Sequence, residues 1–152
     1  MSETVEAVVT HEFDSPADKV FECWLRPDAI RQWMTTALQA MDLPGELGVV
    51  EVEARVGGQF CFSDKRPMGE AFHWGTYKAL DFPTTIAFTW NAGLSRDESD
   101  DEESLVNIAM TPTDEGCHVR LVHTMDAEWK DFVPQTEKGW SNMLMHIEKL
   151  LG

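Results

Sequence analysis

The side chains of this sequence that could do chemistry are five histidines, three cysteines, six tryptophans and one acidic run. The histidines are His11, His73, His118, His123 and His146. No two are spaced as HxH or HExxH, and no cysteines as CxxC, so no zinc site is expected. His11 and His123 fall on the mainly apolar face of their segments. A neutral imidazole there would hydrogen-bond a ligand or serve as a general acid or base. The alternative is a buried ring satisfied by a backbone carbonyl or water. His73 and His118 are expected at the surface, and His146 off the apolar stripe of its segment. Asn107 and Arg120 are the other polar groups considered for acid–base work.

Cys23, Cys61 and Cys117 are odd in number and far apart, which suits reduced thiols rather than a disulfide framework. Cys61 has no evident charge beside it to lower its pKa and is expected to be inert. In the acidic run, SRDESDDEES from Ser95 to Ser104, Asp97, Ser99, Asp101 and Glu103 offer oxygens to calcium. They lack the glycine and terminal glutamate of an EF-hand loop, so a solvated, mobile hairpin loop is the better reading. There is no GxSxG elbow and no glycine-rich phosphate loop. The expected site therefore contains no catalytic residue, metal or cofactor.

The aromatic residues are the stronger signal. Each large ring brings roughly 150–250 Å² of surface to bury. Trp24, Trp33, Phe60, Phe62, Trp74, Phe88, Trp90 and Trp140, with Met143 and Leu144, are the candidate wall of an internal ligand cavity. His11 and His123 are the candidate polar contacts. The same residues also suit a fully packed core, since interiors normally fill densely.

The elements that would position these groups follow from periodicity. Val5, Ala7, Val9, His11 and Phe13 alternate as in a half-buried strand. Ser15, Pro16 and Asp18 read as the cap and first turn of a short helix whose inner face is Val20, Phe21 and Trp24. Pro27 opens a second short helix with Ile30, Trp33 and Met34 inside. Residues 35–47 read as an irregular connection. From Val49 the pattern is strand after strand, with turns at Gly57-Gly58, Lys65–Gly69, Asp81-Phe82-Pro83 and Thr113–Gly116. Phe72, Trp74 and Thr76 are expected to share one face. A crossover at 125–135 is anchored by Trp129 and Phe132. It leads to a long helix with Trp140, Met143, Leu144, Ile147, Leu150 and Leu151 on one stripe.

The chain is read as one domain over residues 1–152. It is of α+β class, a curved antiparallel sheet of about six to seven strands closed by the last helix. Lys and Arg number 12 against 27 Asp and Glu, a net charge of −15 that repels nucleic acid and anionic membrane surfaces. No apolar run is long enough to span a bilayer, and the first residues do not read as a signal peptide. A cytoplasmic protein is expected.

Several stretches resemble a known pattern: FDSPADKVFECW from Phe13 to Trp24, DAIRQW from Asp28 to Trp33, and GGQFCF from Gly57 to Phe62. WGTYKALDFP from Trp74, TIAFTW from Thr85, RLVHT from Arg120 and Gly139-Trp140 continue it in order. Together they resemble the START-like superfamily, also called SRPBCC or helix-grip. Within it they resemble the family related to the C-terminal domain of the activator of heat-shock-protein-90 ATPase. A second tryptophan often follows the first in the family's second helix, and here that position is Met34. The acidic loop is also longer than the pattern. The resemblance implies a helix-grip fold and, more loosely, non-catalytic binding of a small hydrophobic or amphipathic ligand in a stress-related setting. It leaves open a cochaperone-like regulator of the 90-kDa heat-shock chaperone, and an enzyme of cyclase or aromatase type.

Overall fold

A computed structural model of the chain describes residues 3–67, 69–93 and 104–151. The elements run β1 (Thr4–Phe13), α1 (Ala17–Cys23), α2 (Pro27–Gln39), β2 (Glu46–Val52), β3 (Gln59–Arg66), β4 (Gly69–Asp81), β5 (Thr85–Gly93), β6 (Ser104–Pro112) and β7 (Cys117–Asp126). A 3₁₀ turn over Ala127–Phe132 then leads into α3 (Val133–Leu151). The strands form one seven-stranded antiparallel sheet in the order β1-β7-β6-β5-β4-β3-β2. Six consecutive strands make a meander, and β1 joins its far edge beside β7 with Thr4 opposite Asp126 and Phe13 opposite Cys117. Register shifts at Leu47/Val50 and Tyr77/Ala79 bend β2 and β4, as bulges do. Helices α1 and α2 carry the chain from one sheet edge to the other, and α3 packs against β1 and α2. The α+β helix-grip architecture expected from the sequence is therefore the one observed.

Alternation explains the core. Val106, Ile108 and Met110 of β6 are buried while Leu105, Asn107 and Ala109 are exposed. Val119, Leu121 and His123 of β7 lie inside, and Arg120 lies outside. On α3, Trp140, Leu144 and Ile147 are buried at helical spacing. Among the described residues, no helix is long and apolar enough to cross a membrane.

Several boundaries differ from the sequence reading. Helix α2 continues to Gln39, and β2 already begins at Glu46, so the irregular connection is only the few residues between. Met34, Ala37 and Leu38 are buried on α2, and packing rather than a strong local signal extends it. Pro16, not Ser15, sits at the N-cap of α1, and no side chain caps that helix. The backbone carbonyl of Pro16 accepts from the N–H groups of Lys19 and Val20. Trp129 and Phe132 are 43% and 47% exposed, with their rings tilted against each other at 5.5 Å rather than anchored in the core. Ser104 is the first residue of β6, while residues 95–103 of the acidic run, including the candidate calcium oxygens, lie outside the described residues.

Candidate functional site

The concave side of the sheet and the helices enclose an apolar cavity of about 20 Å³. Strand β3 contributes Phe60 and Phe62, two residues apart on one face, with rings stacked at 5.1 Å. Strand β5 contributes Ile86, Phe88 and Trp90 by the same alternation. Trp24 follows α1, and Trp33 and Met34 sit on the inner face of α2. Helix α3 closes the space with Trp140 and Met143 at i and i+3. Tyr77 of β4 supplies the one hydroxyl of the wall, and burial pushes its phenol well above its usual pKa.

The rings interlock. Trp24 meets Trp33 edge to face at 5.4 Å, and Trp90 meets Trp140 in the same way at 5.1 Å. The indole N–H of Trp33 donates to the Cys23 carbonyl at 2.9 Å, which seats α2 against α1. The indole N–H of Trp24 is buried and has no hydrogen-bond partner among the described residues. A buried unpaired donor costs about 1–3 kcal/mol, so an acceptor placed in the cavity would be favoured.

Of the expected residues, Trp24, Trp33, Phe60, Phe62, Phe88, Trp90, Trp140 and Met143 are brought to this wall. Leu144 is fully buried in the core but does not line the cavity. Trp74 is a correction. His73 stacks on Trp90 at 5.1 Å, a Cβ on Gly75 would meet the Phe60 ring, and Tyr77 lines the cavity. Alternation along β4 therefore puts Trp74, and Phe72 and Thr76 with it, on the other face. His73 is correspondingly half-buried rather than at the surface. Burial and the nearby Arg66 guanidinium hold its pKa down to about 4.

The two candidate polar contacts lie elsewhere. His11 does not line the cavity, because its Nε2 pairs with Glu148 of α3 at 2.8 Å and ties β1 to that helix. His123 sits behind the wall in a directed chain of hydrogen bonds. Trp140 Nε1–H donates to His123 Nδ1 at 3.0 Å. His123 Nε2–H donates to Ser104 Oγ at 2.8 Å, and Ser104 donates to the Trp90 carbonyl at 2.8 Å. An indole N–H can only donate, so Nδ1 must be unprotonated and the ring neutral. Burial agrees, holding the pKa down to about 4. Both nitrogens are thus committed to positioning Trp140 and Trp90. With Asn107 and Arg120 exposed, the acid–base groups of the cyclase reading are not assembled around the cavity. Among the described lining residues only Tyr77 is titratable.

Sequence reading missed Met34, Tyr77 and Ile86 as wall residues, although Ile86 shares the parity of Phe88 and Trp90. It also missed the burial of His146, which is 7% exposed on α3. Its Nδ1–H donates to the Asn142 carbonyl at 2.8 Å. Cys23, Cys61 and Cys117 are buried, and none is joined in a disulfide. Desolvation raises the Cys23 and Cys117 thiols to about 11, the opposite of an activated nucleophile.

The fold has close solved counterparts. Protein CV1439 from Chromobacterium violaceum is 19% identical, with 97% of this chain and 96% of that chain covered at a TM-score of 0.75. Protein MLL2253 from Mesorhizobium loti is 22% identical, with 98% and 96% covered at 0.71. Protein Ms6760 from Mycobacterium smegmatis is 21% identical, with 98% and 90% covered at 0.74. No curated protein sequence gives a significant match. The family model described as "Activator of Hsp90 ATPase homolog 1-like protein" matches residues 14–152, and the chain belongs to that family.

Proposed function

We propose that the protein binds a small hydrophobic or amphipathic molecule between the sheet and α3. One observation carries the reading: an apolar cavity ringed by aromatic side chains, one of which, Trp24, holds a buried N–H without a partner among the described residues. A void of about 20 Å³ accommodates little more than one water, so a ligand must displace wall side chains. Met34 and Met143 are unbranched and adaptable, and Trp90 is only partly buried, so these are the groups that yield. Burial of the ligand's apolar surface, at roughly 25 cal/mol per Å², supplies the driving force. The buried cysteines, none in a disulfide, suit the cytoplasmic location that goes with this reading.

Native mass spectrometry and thermal shift against neutral aromatics, sterols and fatty acids test it. A ligand at about 100 times its Kd adds about 2.7 kcal/mol of stability. Trp24→Phe keeps the ring and drops the donor, so affinity for an acceptor-bearing ligand falls about fivefold while the fold is retained. No adduct and no stabilisation across the panel rejects the reading.

The family description supports a second reading, a regulator of the 90-kDa heat-shock chaperone. The exposed Trp129–Phe132 pair is the surface that favours it. Pull-down with the cognate chaperone and an ATPase assay decide. Stimulation lost on Trp129→Ser supports this reading, and no binding at micromolar concentration rejects it.

A further inference from the structure

A second open space lies on the other side of Trp33. Helices α2 and α3 flank a groove of about 720 Å³, within the range of small-molecule sites. Arg31 and Thr35 line it from α2, one turn apart, and His146, Lys149 and Leu150 line it from α3 at i, i+3 and i+4. Asn142 of α3 donates its side-chain N–H to the Ala37 carbonyl of α2 at 2.9 Å, holding the two walls at a fixed separation.

The charge of this groove runs against that of the chain. Carboxylates outnumber cations 27 to 12 in the sequence, yet no lining residue is acidic and two are cations. Arg26, Arg55 and Arg66 are paired with carboxylates. Neither Arg31 nor Lys149 is paired with one among the described residues. Among the described residues Arg31 makes only a long contact to the Gly48 carbonyl, at 3.4 Å, which a ligand readily replaces.

His146 is the independent observation. It is 93% buried at the groove wall, and its Nδ1–H is spent on the Asn142 carbonyl. Nε2 has no hydrogen-bond partner among the described residues. In the neutral ring Nε2 accepts from a ligand hydroxyl or a protonated oxyanion, and in the protonated ring it donates to a charged one. Nε2 therefore opens to the solvent of the groove, where an oxygen of a ligand can take the place of water. Arg31 presents a planar fork suited to carboxylate or phosphate, and Lys149 adds a point charge. Trp33 and Leu150 give the groove apolar surface for the remainder of the ligand. At physiological salt, charges beyond about 8 Å are largely screened, so the local cations and not the distant acids decide binding.

We propose that the α2–α3 groove is a binding site for a small amphipathic oxyanion, a carboxylate or phosphate monoester with an apolar body, held by Arg31 and Lys149 against His146. It stands apart from the internal cavity, sharing only Trp33 with it. Isothermal titration of the full chain with phenyl phosphate and with octanoate, beside the neutral analogues benzyl alcohol and octanol, tests it. The expected result is saturable binding of the anions, weakened about tenfold by Arg31→Gln and again by Lys149→Gln, with the neutral analogues much weaker. Both side chains are exposed, so these variants fold, as a circular dichroism melt will show. No binding of either anion at millimolar concentration overturns the proposal. So does anion binding that the two variants leave unchanged, or octanol binding as tightly as octanoate; the last two outcomes place the ligand in the internal cavity. Binding confined to vesicles containing phosphatidic acid, without the soluble probes, also overturns it.

Discussion

His123 shows what one residue does in this fold. Its position on the apolar face of β7 was legible from alternation, but its partners come from α3 and β6, and no local pattern names them. In the unfolded chain its imidazole titrates near 6.5, and in the fold only near 4. Between those values the unfolded state binds more protons, so stability falls as the pH drops from 6.5 toward 4 and is not penalised above that window. The loss attributable to His123 is roughly 3 kcal/mol when fully developed, and His73 adds in the same direction. Urea denaturation at a series of pH values measures it. His123→Gln is expected to flatten the profile and to lower stability at neutral pH by about 1–3 kcal/mol, because Trp140 loses its acceptor geometry. An unchanged profile would mean that the buried chain of donors does not hold the ring neutral.

At the scale of the element, β4 is where sequence and structure part. Phe72, Trp74 and Tyr77 place large rings on both parities of that strand, so size favoured the wrong face. A slip of one residue inverts every side chain, and here a small residue fixed the choice. A Cβ on Gly75 would lie 1.9 Å from the Thr89 carbonyl oxygen and 3.0 Å from the Phe60 ring. Backbone oxygen cannot step aside, so Gly75→Ala must shift β4 against β5 and unseat Phe60. The expected loss is about 3 kcal/mol, at the upper end of overpacking effects. Gly139 gives the opposite sign. It lies inside α3 with nothing within 4 Å of an added Cβ, so Gly139→Ala should gain about 0.5–1 kcal/mol. Thermal or urea unfolding of the two variants side by side tests both signs.

At the scale of the molecule, the net charge of −15 acts against compactness. Raising NaCl from about 20 mM to about 0.5 M should raise the urea midpoint, because screening relieves carboxylate repulsion more than it weakens the exposed arginine pairs. A midpoint that falls with salt would assign those pairs a larger share of stability. The same excess of acid makes the cationic lining of the α2–α3 groove distinctive. It arises only because two helices, distant in sequence, each turn a cation toward the same space.

The sequence by itself determined the order of elements, the parity of most strands, the apolar stripe of α3 and the aromatic residues that meet inside. These follow from periods of two and 3.6 and from turn chemistry, which are local. Tertiary structure decided the face of Trp74, the burial of His146, the partners of His11 and His123, and how little space the rings leave between them. Each depends on which surfaces are pressed together, and close packing settles that through contacts between residues far apart in the chain.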